Sequence, residues 1–264
     1  MRDDRCDTAL GRGSAGAAAD EPSGAAKMKI AMVAPVVSRC LTAARACSGL
    51  GEIEILTTCA ADEHSWRDDD EPGLCWLGTI ALRRFRVDHP RVSALADRLE
   101  RAVATGAADP ELEERWMQER GPCSWALLDH LRRHEADFDA CVFFGLMSAS
   151  AVFGLPPVAN RALLVAQLED GVVLRSLPGL LRQVVAAARA VVVASSEERA
   201  AFAADPHSAL GVGSGEPVAV LSDTPWSVAP SEFPRVLVGE PASVLPELLR
   251  RGRHSGLFAS RRAS

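Results

Sequence analysis

Strand-length apolar runs recur along this chain, separated by stretches with helical patterning. The runs are Ile30–Ala34, Ile53–Thr57, Ile80–Val87, Cys141–Phe144, Leu163–Val165 and Val191–Ala194. Several are wholly apolar, as expected of parallel strands covered on both faces. Helix candidates lie between them at Arg39–Ser48, Val92–Thr105, Glu111–Glu119, Ser124–His134, Leu177–Ala187 and Glu197–Ala203. Asp109-Pro110-Glu111 offers an N-cap, a first-turn proline and early negative charge, and Ser124 and Ser195 or Ser196 are further caps. Strands alternating with helices predict an α/β fold, a doubly wound parallel sheet of Rossmann-like form. Ligands of such sheets sit beyond the carboxyl ends of the strands. The loops to examine therefore follow Val33, Thr57, Phe144, Val165 and Ala194.

Residues 1–27 are rich in Ala, Gly, Ser and Asp without apolar periodicity, which predicts a disordered segment rather than a signal peptide, with Met28 as an alternative start. The sheet-forming region spans 28–210. From 211 to 264 the chain has glycines at 211–215, many prolines, short apolar runs at Val218–Leu221 and Val236–Val238, and one helix candidate at Ala242–Leu249. That is too little for a second Rossmann domain, so a tail packed on the first domain is expected.

The uncharged stretch Ala140–Ala159 is broken by Gly145, Gly154 and Pro156-Pro157, so a buried strand turning into a short helix is expected there, not a bilayer span. A net charge of −6 gives no general attraction to nucleic acid. The basic tail Arg250-Arg251-Gly252-Arg253-His254 allows at most peripheral membrane contact. Seven cysteines without a C-x-x-C pair or framework spacing read as reduced thiols in a cytoplasmic protein.

Diphosphate binding wants exposed backbone N–H groups in a glycine-rich turn at a helix N-terminus. The first strand is followed instead by Pro35-Val36-Val37-Ser38-Arg39, without a glycine. Ser38 can cap the next helix and Arg39 can meet an anion. Trp66, Trp116 and Trp125 are candidate platforms for the apolar faces of sugars. Trp66 lies in a strand-end loop, whereas Trp116 has helical spacing from Leu112, as a core residue would. Arg67 can meet a phosphate, or simply sit on the surface beside Asp68–Glu71. His130 and His134 are four apart on one helix face, yet without a third ligand nearby they read as a solvated pair.

Several segments carry a resemblance. Met28-Lys29-Ile30-Ala31-Met32-Val33-Ala34-Pro35 comes first, then EIEILTTCAADEHSW over Glu52–Trp66. Trp116-Met117 with Gly121-Pro122 and Ser124 follows, and then Phe143-Phe144 through Phe153-Gly154-Leu155-Pro156 and Asn160-Arg161-Ala162. In this order and spacing the chain resembles the acceptor-side half of GT-B glycosyltransferases of the family-4 type, from Met28 to about Glu216.

The resemblance implies transfer of a hexose from a nucleotide sugar to an acceptor hydroxyl, with retention and without a resident metal or cofactor. Aligned through Arg161–Val165, Glu169-Asp170 fall where the family often places a His-Asp pair close to the sugar, which makes Asp170 and Glu169 the candidate catalytic residues. Glu232 and Glu240 have the spacing of the family's Glu-x7-Glu motif in the donor half, although Glu63/Glu71 and Glu111/Glu119 share that spacing without any such context. Trp66, Arg67 and Ser38 complete the candidate substrate contacts. The donor half is largely missing from the chain. One expectation is therefore a component that needs a separate donor-domain polypeptide, or its own homo-oligomer, and acts on a sugar or glycolipid acceptor. The alternatives are a catalytically inactive relative serving as a binding or structural module, and an independent nucleotide-binding domain without a phosphate-loop signature.

Overall fold

The computed structural model describes residues 27–63, 65–89, 93–104, 109–167, 178–193, 219–220, 236–254 and 258. They form one nine-stranded sheet. Its strands are β1 (Met28–Val33), β2 (Gly51–Thr58), β3 (Gly73–Leu77), β4 (Ile80–Phe85), β5 (Ala140–Phe144), β6 (Ala162–Val165), β7 (Ala190–Val193), β8 (Ala219–Val220) and β9 (Val236–Val238). The order across the sheet is β3-β4-β2-β1-β5-β6-β7-β9-β8. Every neighbouring pair is parallel except β3 and β4. The chain starts in the middle, winds out through β2 to β4, then returns beyond β1 and winds out the other way. The fold is thus α/β, doubly wound and Rossmann-like, as the alternating pattern predicted.

Burial explains why these runs became inner strands. Ala31 and Val33 of β1 enter one apolar layer and Ile30 and Met32 the other. Cys141 and Phe143 of β5 likewise face one layer, and Val142 and Phe144 its opposite. A strand apolar at every position can be accommodated only with cover on both sides. The cover is unequal. Helices α2 (Ser93–Ala104), α3 (Pro110–Arg120), α4 (Trp125–Arg133), α5 (Ala149–Gly154) and α6 (Gly179–Ala187) contribute to the first layer. Helices α1 (Leu41–Cys47) and α7 (Pro241–His254) contribute to the second and pack on each other. Gly51, where β2 begins, lies so close to the Met28 carbonyl that a Cβ there would collide with backbone.

Local signals act as anticipated at two helices. The Asp109 carboxylate accepts from the Leu112 N–H at 2.8 Å, with Pro110 opening α3. Ser124 Oγ accepts from the Leu127 N–H at 3.4 Å at the start of α4. The uncharged stretch from Ala140 resolves into β5, a turn, α5 and a 3₁₀ segment at Pro156–Arg161. Among the described residues no helix is long and apolar enough to cross a membrane.

One strand was not anticipated. β3 pairs antiparallel with β4 across the turn at Gly78 and Thr79, with Gly78 at φ +64°. Only Cys75 and Leu77 of β3 touch the core, and Leu74 and Trp76 stay exposed, so no continuous apolar run announced it. Beyond residue 210, β9 extends the sheet beside β7, β8 flanks β9, and α7 lies against α1. The N-terminal segment 1–26 and the helix expected at Glu197–Ala203 with its serine caps lie outside the described residues.

Candidate functional site

The strand order reverses between β1 and β5, and this is where open α/β sheets hold ligands, beyond the strand carboxyl ends. Here the loops after β1, β2, β5 and β6 meet. From the first, Arg39 ends a 3₁₀ turn at Val37–Arg39, its N–H donating to the Val36 carbonyl at 3.3 Å. From the second comes Glu63. Arg39 Nε and Nη2 donate to the two Glu63 carboxylate oxygens at 2.8 and 2.5 Å, a fork-to-fork pair. The side chains are 15% and 36% exposed, so the pair lies at the cleft mouth and is only partly screened by water.

The third loop contributes an opening. Gly145 follows β5 at φ +85°, and a Cβ there would come 3.3 Å from Arg39 Nη1. Glycine serves both requirements, the left-handed backbone and the room for the guanidinium. From the fourth loop, Gln167 Nε2 donates to the Arg39 carbonyl at 3.2 Å. Gln167 has φ +41°, uncommon for a residue with a side chain, and its buried Oε1 has no hydrogen-bond partner among the described residues. Strain and an orphaned acceptor together are typical of a functional position, because packing alone would select against both.

The sequence-predicted residues fall in different places. Ser38 is exposed within the 3₁₀ turn and does not cap α1, whose N-cap is Cys40 without a side-chain cap bond. Trp66 lies in the loop after β2 at 5% exposure, packed with Val36, Ala60 and Val87 and beside Gly121. Little of its ring is open to stack on a sugar, and its buried Nε1 lacks a partner among the described residues. Arg67 is exposed on the same loop. Glu240 is exposed after β9, where its carbonyl accepts from the Ser243 and Val244 N–H groups at the start of α7. A carboxylate there also suits the positive end of the helix dipole. Glu169, Asp170 and Glu232 lie outside the described residues.

Other reactive side chains are quiet. Burial pushes the thiols of Cys40, Cys47, Cys123 and Cys141 up to about 12, and burial with the nearby Asp68 pushes Cys59 up to about 11. All five are protonated at neutral pH and poor nucleophiles. Trp116 is a core residue, fully buried in α3. The His130 and His134 rings stack at 4.4 Å, with Phe85 on the other side of His130 at 5.3 Å. His134 Nδ1 lies 2.9 Å from Asp137. Among the described residues no three His, Cys, Asp or Glu side chains gather as a metal site.

Glu63, Gly145 and Gln167 were not singled out from sequence. The available signal was positional, since each lies in one of the strand-end loops that the predicted sheet marks as informative. Fold and cleft together define a Rossmann-like α/β protein with a polar site at its topological switch point. Comparison with family models, with curated proteins and with solved structures returned no match.

Proposed function

We propose that this chain is the acceptor-side half of a retaining glycosyltransferase of the GT-B, family-4 type. The observation that carries the reading is the composition of the switch-point cleft. Its first loop offers no glycine cradle for a diphosphate, while the four loops together present a guanidinium, a carboxylate and a carboxamide. Such groups suit hydroxyl ligands, which both donate and accept hydrogen bonds. The segments that resemble the family form β1, β2, α3, α4, β5 and the turn into β6, the same elements that surround this cleft.

In this reading the nucleotide sugar is held by a second domain, on the same or another polypeptide, and a hexose passes to an acceptor hydroxyl seated over β1 and β5. Asp170 and Glu169, a few residues beyond Gln167, are the proposed sugar-facing carboxylates.

The test is a thermal-shift and ligand-observed NMR screen of the purified chain against saccharides, polyols and nucleotide sugars. A ligand at about a hundred times its Kd stabilises a fold by roughly 2.7 kcal/mol. Selective stabilisation by saccharides or polyols, with none from nucleotide sugars, supports the acceptor half. A selective shift with a nucleotide alone replaces it by a nucleotide-binding module. Silence toward all of them replaces it by a catalytically inactive relative.

A further inference from the structure

We infer that Glu63 sets the ligand class of the switch-point cleft: by occupying the Arg39 guanidinium it excludes phosphorylated and carboxylated ligands and leaves the cleft to uncharged, hydroxyl-bearing ones. The inference rests on the reading of this cleft as the acceptor side, and adds which acceptors it admits. An arginine in the loop after the first strand of a doubly wound sheet stands where phosphate-bearing ligands are commonly met. Its fork of N–H groups matches a phosphate or a carboxylate in two parallel bonds. Glu63 already makes that two-bond contact, at 2.8 and 2.5 Å.

Both partners are held by ordered backbone. The Arg39 carbonyl is fixed by Gln167 Nε2, and Gly145 leaves the space into which the guanidinium extends. The loop bearing Glu63 is closed on itself by Trp66 N–H to the Asp62 carbonyl at 3.1 Å and by Ser65 N–H to the Asp62 carboxylate at 2.8 Å. Its return is tied down where the Asp69 and Asp70 N–H groups both donate to the Cys59 carbonyl at 2.9 Å. A carboxylate presented on such a loop is an intramolecular competitor with a high effective concentration, and a free anion must displace it. An uncharged polyol need not. A carboxylate and a guanidinium have more acceptor sites and donors than two bonds use, so hydroxyls can bond to the intact pair.

The experiment uses inorganic phosphate as the probe, titrated calorimetrically into the full chain as wild type, as Glu63→Gln and as Arg39→Gln/Glu63→Gln. Glu63→Gln is isosteric and a third exposed, and far-UV circular dichroism with a melting curve checks that it folds. The expected result is negligible binding to the wild type, a gain of about tenfold or more in Glu63→Gln, and loss of that gain in the double variant. Three results overturn the inference: equal phosphate affinity in wild type and Glu63→Gln, no gain in a folded Glu63→Gln, or a gain that survives removal of Arg39. Should Glu63→Gln melt early, the wild type alone still decides, because phosphate bound with a sub-millimolar Kd contradicts a masked guanidinium. Phosphate binding is read without any transfer assay. A failed gate therefore leaves the saccharide screen standing, and a failed screen leaves the phosphate result intact.

Discussion

Helix α6 begins without a cap of its own, and the consequence can be measured. Its N-cap is Pro178, which makes no side-chain cap bond, so its first N–H groups need acceptors from elsewhere. Glu113 of α3 supplies them across the layer. Its two carboxylate oxygens accept from the Gly179 N–H at 2.9 Å and the Leu180 N–H at 2.7 Å, and the residue is only 9% exposed. Glu113→Ala removes both acceptors at once. Hydrogen bonds to a charged group contribute about 1.5–3 kcal/mol each, and the helix dipole adds about 0.3–1 kcal/mol for a carboxylate at this end. Water admitted to the vacated site recovers part of that, so the expected loss is about 3 kcal/mol. Glu113→Gln keeps one acceptor and should lose about half as much. Urea denaturation followed by circular dichroism at low and high salt is the assay, with an unchanged slope confirming that the midpoint shift reports stability. Salt should change the difference little, because the carboxylate is buried. A loss below about 0.5 kcal/mol for Glu113→Ala would refute the argument, since a surface substitution costs no more than that.

Three further outcomes follow from the same geometry. Gly145→Ala places a side chain at φ +85° and within 3.3 Å of Arg39 Nη1, so a loss of about 1–2 kcal/mol is expected in a melting experiment. Gly49→Ala, with nothing within 4 Å of its Cβ, should stay within about 0.5 kcal/mol of wild type, and equal effects would remove the case for Gly145. Burial, then Arg83, then His134 lower the His130 pKa from its ordinary 6.5, with Glu54 opposing. Below pH 6.5 the unfolded chain therefore takes up a proton that the folded chain resists, and stability falls as the pH drops. The wild type should lose more stability than His130→Gln between about pH 7.5 and about pH 5.5, and parallel losses would contradict the assignment. With Cys40, Cys47, Cys123 and Cys141 held near 12 by burial, an aromatic disulfide reagent should label them only as the chain unfolds. Peptide mapping that found them labelled in the native state within seconds would disprove their closure.

The inner strands were legible in sequence because burial on both faces leaves a plain mark, an apolar residue at every position. β5 reads Ala-Cys-Val-Phe-Phe, and all five residues are buried. β3 bore no such mark. An edge strand covered on one face alternates, and Gly73, Leu74, Cys75, Trp76 and Leu77 are too few for alternation to stand out from a loop. The caps at Asp109 and Ser124 were legible for a similar reason, since each interaction lies within three residues. The cap on α6 was not, because Glu113 and Gly179 are 66 residues apart and only the packing of α3 beside α6 brings them together.

The candidate site obeys the same division. Its location follows from sheet topology, which the alternation of elements made readable. Its chemistry depends on a pair 24 residues apart, Arg39 with Glu63, and on a contact over 128 residues, Gln167 with the Arg39 carbonyl. No local pattern encodes either. The residues with local distinction fared differently. The large ring of Trp66 made it conspicuous as a sugar platform, yet the same apolar area draws it into the cluster with Val36, Ala60 and Val87. Small or polar residues at strand ends have no comparable pull toward the core. That is why the cleft is built from Arg39, Glu63, Gly145 and Gln167, and why each stands one to six residues beyond the end of its strand. For a doubly wound sheet, distance from a strand's carboxyl end is thus a better guide to the site than the chemical prominence of a residue.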